Sequence, residues 1–251
     1  SQDVPTVALT AAGVLRAPLP RGTVTTAQVF EVLCVGTGAD GTAGSPLISC
    51  YLTGKELRAA LEVDASVSTR MAEAQLYFAG VEYSFNTHRM FLNKVMDARL
   101  TQTGETLEKD QLYRVVTSLY CGQMLGTVKE RSFGLLSIVP KDESGAPIQD
   151  LTTRVLRDPS GYEIKEWYAL ASYLQTFGME GIPTSYAWPD GRKEVSHSWN
   201  PIELMRNPNL LTIGVLLLMV LAAAAGVLLI RAFVRSRRNR RYGGYRRRGW
   251  F

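Results

Sequence analysis

The residues best suited to chemistry lie early in the chain. The stretch AAGVLRAPLPRG, residues 11–22, sets a glycine and two arginines in a short turn between the apolar run VPTVAL and the helix-like segment TTAQVFEVL. Glycine lets a backbone come close to a ligand or take a positive φ, and arginine offers a planar fork of donors suited to phosphate or carboxylate. Two readings follow: an anion cradle, or a surface turn with two solvated arginines. These twelve residues leave both open.

Other chemistry finds little support. A metal-dependent hydrolase needs clustered His, Asp and Glu, but the two histidines, His88 in NTHRM and His197 in SHSWN, have no second ligand at a recognisable spacing. Both read as exposed loop residues. There is no GxSxG, no P-loop and no Rossmann glycine pattern at a strand end. A self-sufficient active site is not expected, and no cofactor within this chain. The three cysteines, Cys34, Cys50 and Cys121, form no CxxC, and their odd number leaves at least one thiol unpaired. Cys34 and Cys50 flank the glycine-rich GTGADGTAGSP, and one possible pairing is a bridge across it.

The elements that must position these residues belong to an ordinary globular composition, 46% hydrophobic and 20% charged over 251 residues, with a formal net charge of +5. That charge is unevenly spread. Nine of the 28 basic residues, all arginine, lie in 231–251 with no acidic residue, so the preceding 230 carry 19 basic against 23 acidic groups. Nucleic acid is not an expected partner, because its footprint is a basic face on a folded domain. The segment LLTIGVLLLMVLAAAAGVLLI, residues 210–230, gives the basic run another meaning. Its 21 residues without a charge would span roughly 32 Å as a helix, close to the hydrocarbon core of a bilayer. The arginines follow it directly, so the positive-inside rule puts the tail in the cytoplasm and the body outside a cell membrane, with a single pass. Tyr242, Tyr245, Trp250 and Phe251 among those arginines could bind RNA, but a polybasic segment on anionic headgroups is the commoner arrangement. Ala222 and Gly226 make a weak small-xxx-small spacing.

Ser1 begins a polar, proline-containing stretch with neither a basic start nor an apolar core, so no signal peptide is visible. An exported body without an export signal reads as a fragment lacking an N-terminal part. Along the body, VPTVALTA and LISCYL read as strands. TGKELRAALE reads as a helix with a capping box, Thr53 at N-cap and Glu56 three residues on, burying Leu57, Ala60 and Leu61. QLYFAG, VEYSFN (Val81, Tyr83 and Phe85 on one side), NKVMDARL and LYRVVTSLY alternate as strands, and GQMLGTVKE follows as a short helical or loop segment. EIKEWYALASYLQTF carries Ile164, Trp167, Leu170, Ala171 and Leu174 at helical spacing. Residues 178–208, rich in proline, glycine and aromatics, read as a stalk. Strands and helices mix without a βαβ rhythm, which gives an α+β fold of mixed sheets with packed helices plus one transmembrane helix.

The ordered series AAGVLRAPLPRGTVTTAQVFEVL, LISCYLTGKELRAALE, AQLYFAGVEYSFN and LYRVVTSLYCGQML resembles the C-terminal domain of the 5′-nucleotidase family, which includes UDP-sugar hydrolases and 2′,3′-cyclic-nucleotide phosphodiesterases. LTGKEL, residues 52–57, is similar to that family's Leu-Thr-Gly-x-Glu-Leu helix start. The resemblance covers about residues 4–177. Together with the readings above this gives a partition into an N-terminally truncated domain of that kind over 1–177, a stalk over 178–208, a transmembrane helix over 209–231 and a basic tail over 232–251. The resemblance also implies that divalent metals and catalysis belong to a metallophosphatase domain absent here, and that this chain alone is not catalytic.

By that resemblance Arg16 contacts the phosphate of a bound nucleotide, with Gly13 permitting the approach, and Tyr120 stands where the family has a base-stacking Phe. Arg21 has no counterpart and reads as a surface residue. The departures are specific. Ala11 replaces the family Asn that meets base or ribose, Val14 replaces the second Gly, Cys34 and Val35 replace a Pro-Phe pair, and GQMLG replaces Gly-Gly-Asp-Gly. Two functions remain in view: recognition of a nucleotide or related phosphate ester and membrane anchoring for a surface hydrolase, or a non-catalytic membrane-tethered scaffold.

Overall fold

The structure is a computed structural model describing residues 6–68, 71–131 and 137–243. It divides into two compact units, residues 1–206 and 207–251.

The first unit is built on two sheets. Strands β1 (Thr6–Ala11), β2 (Leu47–Thr53), β3 (Leu76–Ala79) and β6 (Leu112–Ser118) make a sheet in the order β2-β6-β1-β3. Strands β4 (Val81–Asn86), β5 (Val95–Leu100) and β7 (Lys193–Ser196) make a second, in the order β5-β4-β7. β1 lies parallel to β6, with Val7 opposite Val115, and β4 lies parallel to β7; the other pairings are antiparallel. One core joins both sheets to helix α2 (Gly54–Val67): Val7, Leu9, Cys50, Leu52 and Val115 from the first sheet, Val81, Tyr83, Phe85 and Val95 from the second, and Leu57, Ala60, Leu61 and Ala65 from the helix. Each fully buried leucine there contributes about 2 kcal/mol of hydrophobic burial.

Local signals produce these elements as expected. Thr53 Oγ1 accepts from the Glu56 N–H at 3.3 Å while Glu56 Oε2 accepts from the Thr53 N–H at 2.9 Å, so the capping box starts α2. A second such box, Thr25 with Gln28, starts α1 (Thr26–Val32). The alternation in VEYSFN turns Val81, Tyr83 and Phe85 inward, leaving Glu82 outside. Helix α3 (Leu119–Arg131) follows β6 without a loop, so LYRVVTSLY is a strand only as far as Ser118 and GQMLGTVKE is helix. Helix α4 (Glu166–Gln175) packs on α1 through an edge-to-face contact of Phe30 with Trp167, centroids 5.7 Å apart.

Residues 178–208 differ from the expected stalk. Within them β7 adds to β4, with Ser84 opposite Glu194, and the folded unit runs to Arg206 through a short helix α5 (Pro201–Leu204). The second unit is helix α6 (Leu210–Gly243). Its stretch Leu210–Arg235 is long and apolar enough to cross a membrane. The helix continues into the arginine run, so the first part of the segment read as a tail is helical; Tyr245, Trp250 and Phe251 lie outside the described residues.

Candidate functional site

The parallel neighbours β1 and β6 end side by side, and the chain leaving each carries the candidate residues. β1 runs into a 3-10 turn, Ala12–Val14, and β6 runs into the first turn of α3. The turn is fixed at both ends: the Ala12 N–H donates to the Gln75 carbonyl at 2.8 Å, and the Arg16 N–H to the Val32 carbonyl at 2.9 Å. Val14 is buried with Val32, Leu33 and Cys121, so α1, the turn and α3 share a second, smaller core.

Gly13 does not take a positive φ. A Cβ there would sit 3.0 Å from the Glu73 carbonyl oxygen, and the close approach that glycine permits is to the neighbouring 3-10 turn Ala72–Ala74. Arg16 is exposed, and among the described residues its guanidinium has no hydrogen-bond or ion-pair partner, which leaves its donors available to an anion. Arg21 is equally exposed, but it stands beside Gly22, φ +100°, without a backbone tie of the kind that holds Arg16.

Tyr120 is 38% exposed on the first turn of α3, its N–H donating to Ser45 Oγ at 3.1 Å. The helix start is pinned further by the Leu119 N–H to the Pro46 carbonyl and the Cys121 N–H to Ser118 Oγ. Gly122 allows α3 to lie on β2, since a Cβ there would come within 2.6 Å of Ile48 Cδ1. The first glycine of GQMLG thus serves helix–sheet packing, whereas a Cβ at the second, Gly126, would meet nothing within 4 Å. The turn that carries Gly13 and Arg16 and the first turn of α3, which carries Tyr120, adjoin one small core through Val14 and Cys121, with Val14 filling space beneath the turn.

Glu166, at the start of α4, escaped the sequence reading. Thr10 Oγ1 donates to its carboxylate at 2.8 Å and Ser118 also bonds it, while burial pushes its pKa above the ordinary carboxylate value. It lines an open groove of about 770 Å³ on the four-stranded sheet, with Tyr77, Tyr186 and Trp188 among the other walls. No local motif announces it; its partner Thr10 is 156 residues away in sequence.

The glycine-rich loop is held from the same region. Lys165 Nζ, in a side chain only 6% exposed, lies 2.8 Å from both Asp40 and Glu163, and the Trp167 ring packs against Gly44. Lys165 thus fastens this loop to the strand-like segment ahead of α4. The three cysteines are free; Cys50 lies in the main core and Cys34 is half-buried, so the loop carries no bridge between them.

The two histidines correct another expectation. His88 is half-buried, stacked on Trp199 at 4.1 Å, and its ring centroid is 6.2 Å from that of His197, which is exposed. Among the described residues no three His, Cys, Asp or Glu side chains gather where they could hold a metal ion.

The family model for the 5′-nucleotidase C-terminal domain matches residues 2–127. Among solved structures, the 5′-nucleotidase precursor from Thermus thermophilus superimposes with a TM-score of 0.53 at 24% identity, over 76% of this chain and 32% of that one. NAD nucleotidase from Haemophilus influenzae superimposes with a TM-score of 0.48 at 18% identity, over 76% of this chain and 30% of that one. The chain thus spans about a third of the length of these proteins. No curated protein matches its sequence.

Proposed function

The chain belongs to the 5′-nucleotidase C-terminal domain family, and from that premise we propose that its first unit recognises a nucleotide or related phosphate ester and that α6 anchors it in a membrane. The observation that carries the recognition is the unpartnered, exposed guanidinium of Arg16, on a turn tied to Val32 and adjoining the helix turn that presents Tyr120. Arg16 supplies two parallel N–H donors to phosphate oxygens, and the Tyr120 ring offers a face for a base. Binding energy gathered from these remote parts of the substrate orients the ester for cleavage. The cleavage itself, with its divalent metals, is assigned to a separate catalytic domain. This chain's part in the reaction is to bind and orient.

The anchor reading is supported by the uncharged run of α6 and by the nine arginines on its C-terminal side against the single Arg206 close before it. It places the first unit outside the cell membrane and the tail in the cytoplasm, against anionic lipid. A second reading, a scaffold that binds no nucleotide, is favoured by one observation: Val14, where the resemblance expects glycine, is 1% exposed and fills the small core under the turn. Calorimetric titration of nucleoside monophosphates and UDP-sugars into the chain and its Arg16→Ala and Arg21→Ala variants separates the two. Absence of any binding to the unaltered chain selects the scaffold.

A further inference from the structure

The segment joining the folded unit to α6 is clamped to the turn between β4 and β5. Arg89, 3% exposed, donates Nε to the Asn93 carbonyl at 2.7 Å and Nη1 to the Glu203 carbonyl at 3.0 Å, and Nη2 bonds the Arg206 carbonyl. Asn86 Nδ2 donates to the Ser198 carbonyl at 2.8 Å, and the Thr87 N–H to the Ser196 carbonyl at 3.1 Å. Thr87 Oγ1 and His197 Nδ1 lie 2.7 Å apart, and Trp199 stacks on His88. Asn200 then caps α5 by accepting from the Ile202 N–H at 3.0 Å. Residues 196–206 are therefore a fixed strap.

That strap presents apolar side chains to solvent. Trp199 is 72% exposed, Ile202 80% and Met205 47%. Only residues 207–209 separate its last clamped residue, Arg206, from the apolar run that begins at Leu210. Four peptide steps reach no further than about 14 Å, and each interfacial layer of a bilayer is roughly 5–8 Å deep. If Leu210 enters the hydrocarbon, the strap cannot stand far above the headgroups. Tryptophan is enriched at that depth, where its apolar body and N–H both find partners.

We infer that Trp199, Ile202 and Met205 form an interfacial foot, seating the first unit on the headgroup layer of the same bilayer that α6 crosses. This inference rests on the anchor reading above. The occupant is lipid, because the chain itself delivers the foot to lipid. The foot is apolar, with Arg206 near it engaged to Asp97 at 3.2 Å, so headgroup charge is not what recognises it. The consequence is a contact: these three side chains of the first unit lie among lipid headgroups, not in water.

The test uses the full chain reconstituted into phosphatidylcholine vesicles containing lipid brominated near the headgroup end of its acyl chains. Tryptophan quenching is compared between the unaltered chain and Trp199→Phe, with carbonate extraction and protease protection of the C-terminal tail read on the same samples. The expected result is an inserted α6 and a quenchable emission component that Trp199→Phe removes, insensitive to salt. Ile202→Asp, which leaves every tryptophan in place, should lessen bromolipid quenching and raise quenching by aqueous acrylamide. An inserted α6 with bromolipid quenching unchanged in both variants overturns the foot and leaves the anchor standing, and points to a protein partner for these side chains. Release of the chain by carbonate overturns the anchor and the foot with it.

Discussion

Thr10, near the end of β1, donates its hydroxyl to the Glu166 carboxylate at 2.8 Å, tying the strand that leads to the Arg16 turn to the start of α4. Burial raises the Glu166 pKa, and the hydroxyls of Thr10 and Ser118 offset only part of that. The folded state thus holds this proton more tightly than the unfolded chain does. The stability it contributes is complete below the unfolded carboxyl pKa and is lost as pH rises through the folded value. Glu166→Gln should therefore gain stability relative to the unaltered chain as pH is raised from about 4 to 7, read as urea midpoints at each pH. A difference independent of pH in that window would remove Glu166 as a titrating group.

Arg16→Ala should weaken nucleotide binding roughly tenfold or more, since a hydrogen bond to a charged group is worth about 1.5–3 kcal/mol, while Arg21→Ala should leave it unchanged. Tyr120→Phe should bind as the unaltered chain does and Tyr120→Ala should bind more weakly by about 1 kcal/mol, because the ring face and not the hydroxyl is what a base would meet. Equal small effects at Arg16 and Arg21 would return the turn to a solvated surface.

Cys50 is buried in the core, and burial pushes its thiol up to about 11; Cys121 is raised by the same cause. At neutral pH neither presents the thiolate that reacts. A maleimide reagent should modify the half-buried Cys34 of the folded chain well ahead of the other two, and all three after denaturation. A folded chain whose intact mass shows the loss of two hydrogens would mean a disulfide, against the three free thiols of the structure.

Lys165→Met should cost about 1–3 kcal/mol, because it takes from the Glu163 side chain, 0% exposed, the nearer of its two cations and leaves it only the Arg157 guanidinium at 3.5 Å. Replacing Glu163 by Leu in the same chain should recover part of the loss. The Lys165 hydrogen bond is also the largest cause holding Asp40 down at about 2. A lowered folded pKa gives stability that is present above the unfolded value and lost as pH falls toward 2, so the gap between the unaltered chain and Lys165→Met should narrow in acid. A gap of constant size from pH 6 to 2 would show that the triad does not act through charge.

What the sequence made legible was local. The Thr53–Glu56 box, the alternation of Val81, Tyr83 and Phe85, and the uncharged run of α6 each depend on residues within a few positions of one another. β7 was not legible, because Lys193–Ser196 joins β4 through backbone bonds and its side chains lie half-buried or exposed with no inward pattern. α3 was half-read, because two glycines lower its helix propensity and only contact with Ile48 explains Gly122. Of the candidate site, the Arg16 turn came from local composition. Glu166 with Thr10, Lys165 with Asp40, and His88 with His197 are joined across more than a hundred residues each, which no window spans.

The charge on α6 decides its direction across a membrane. Its apolar stretch opens at Leu210 after an uncharged Asn-Pro-Asn, and the nine arginines begin only at Arg231, so one orientation leaves them beside the cytoplasmic leaflet and the other must carry them all across. Each basic residue near an anionic leaflet adds about 1 kcal/mol of attraction, so on the anchor reading proposed above the first orientation is the expected one. Protease added to intact cells expressing a C-terminally tagged chain should remove the first unit and leave a short tagged fragment protected. Moving the positive charge should reverse this: with the arginines of 231–241 changed to serine and three arginines placed before Leu210, a share of the tags should become cleavable from outside. A tag cleaved from the unaltered chain on intact cells would reverse the orientation, and with it the assignment of phosphate-ester recognition to the outer face.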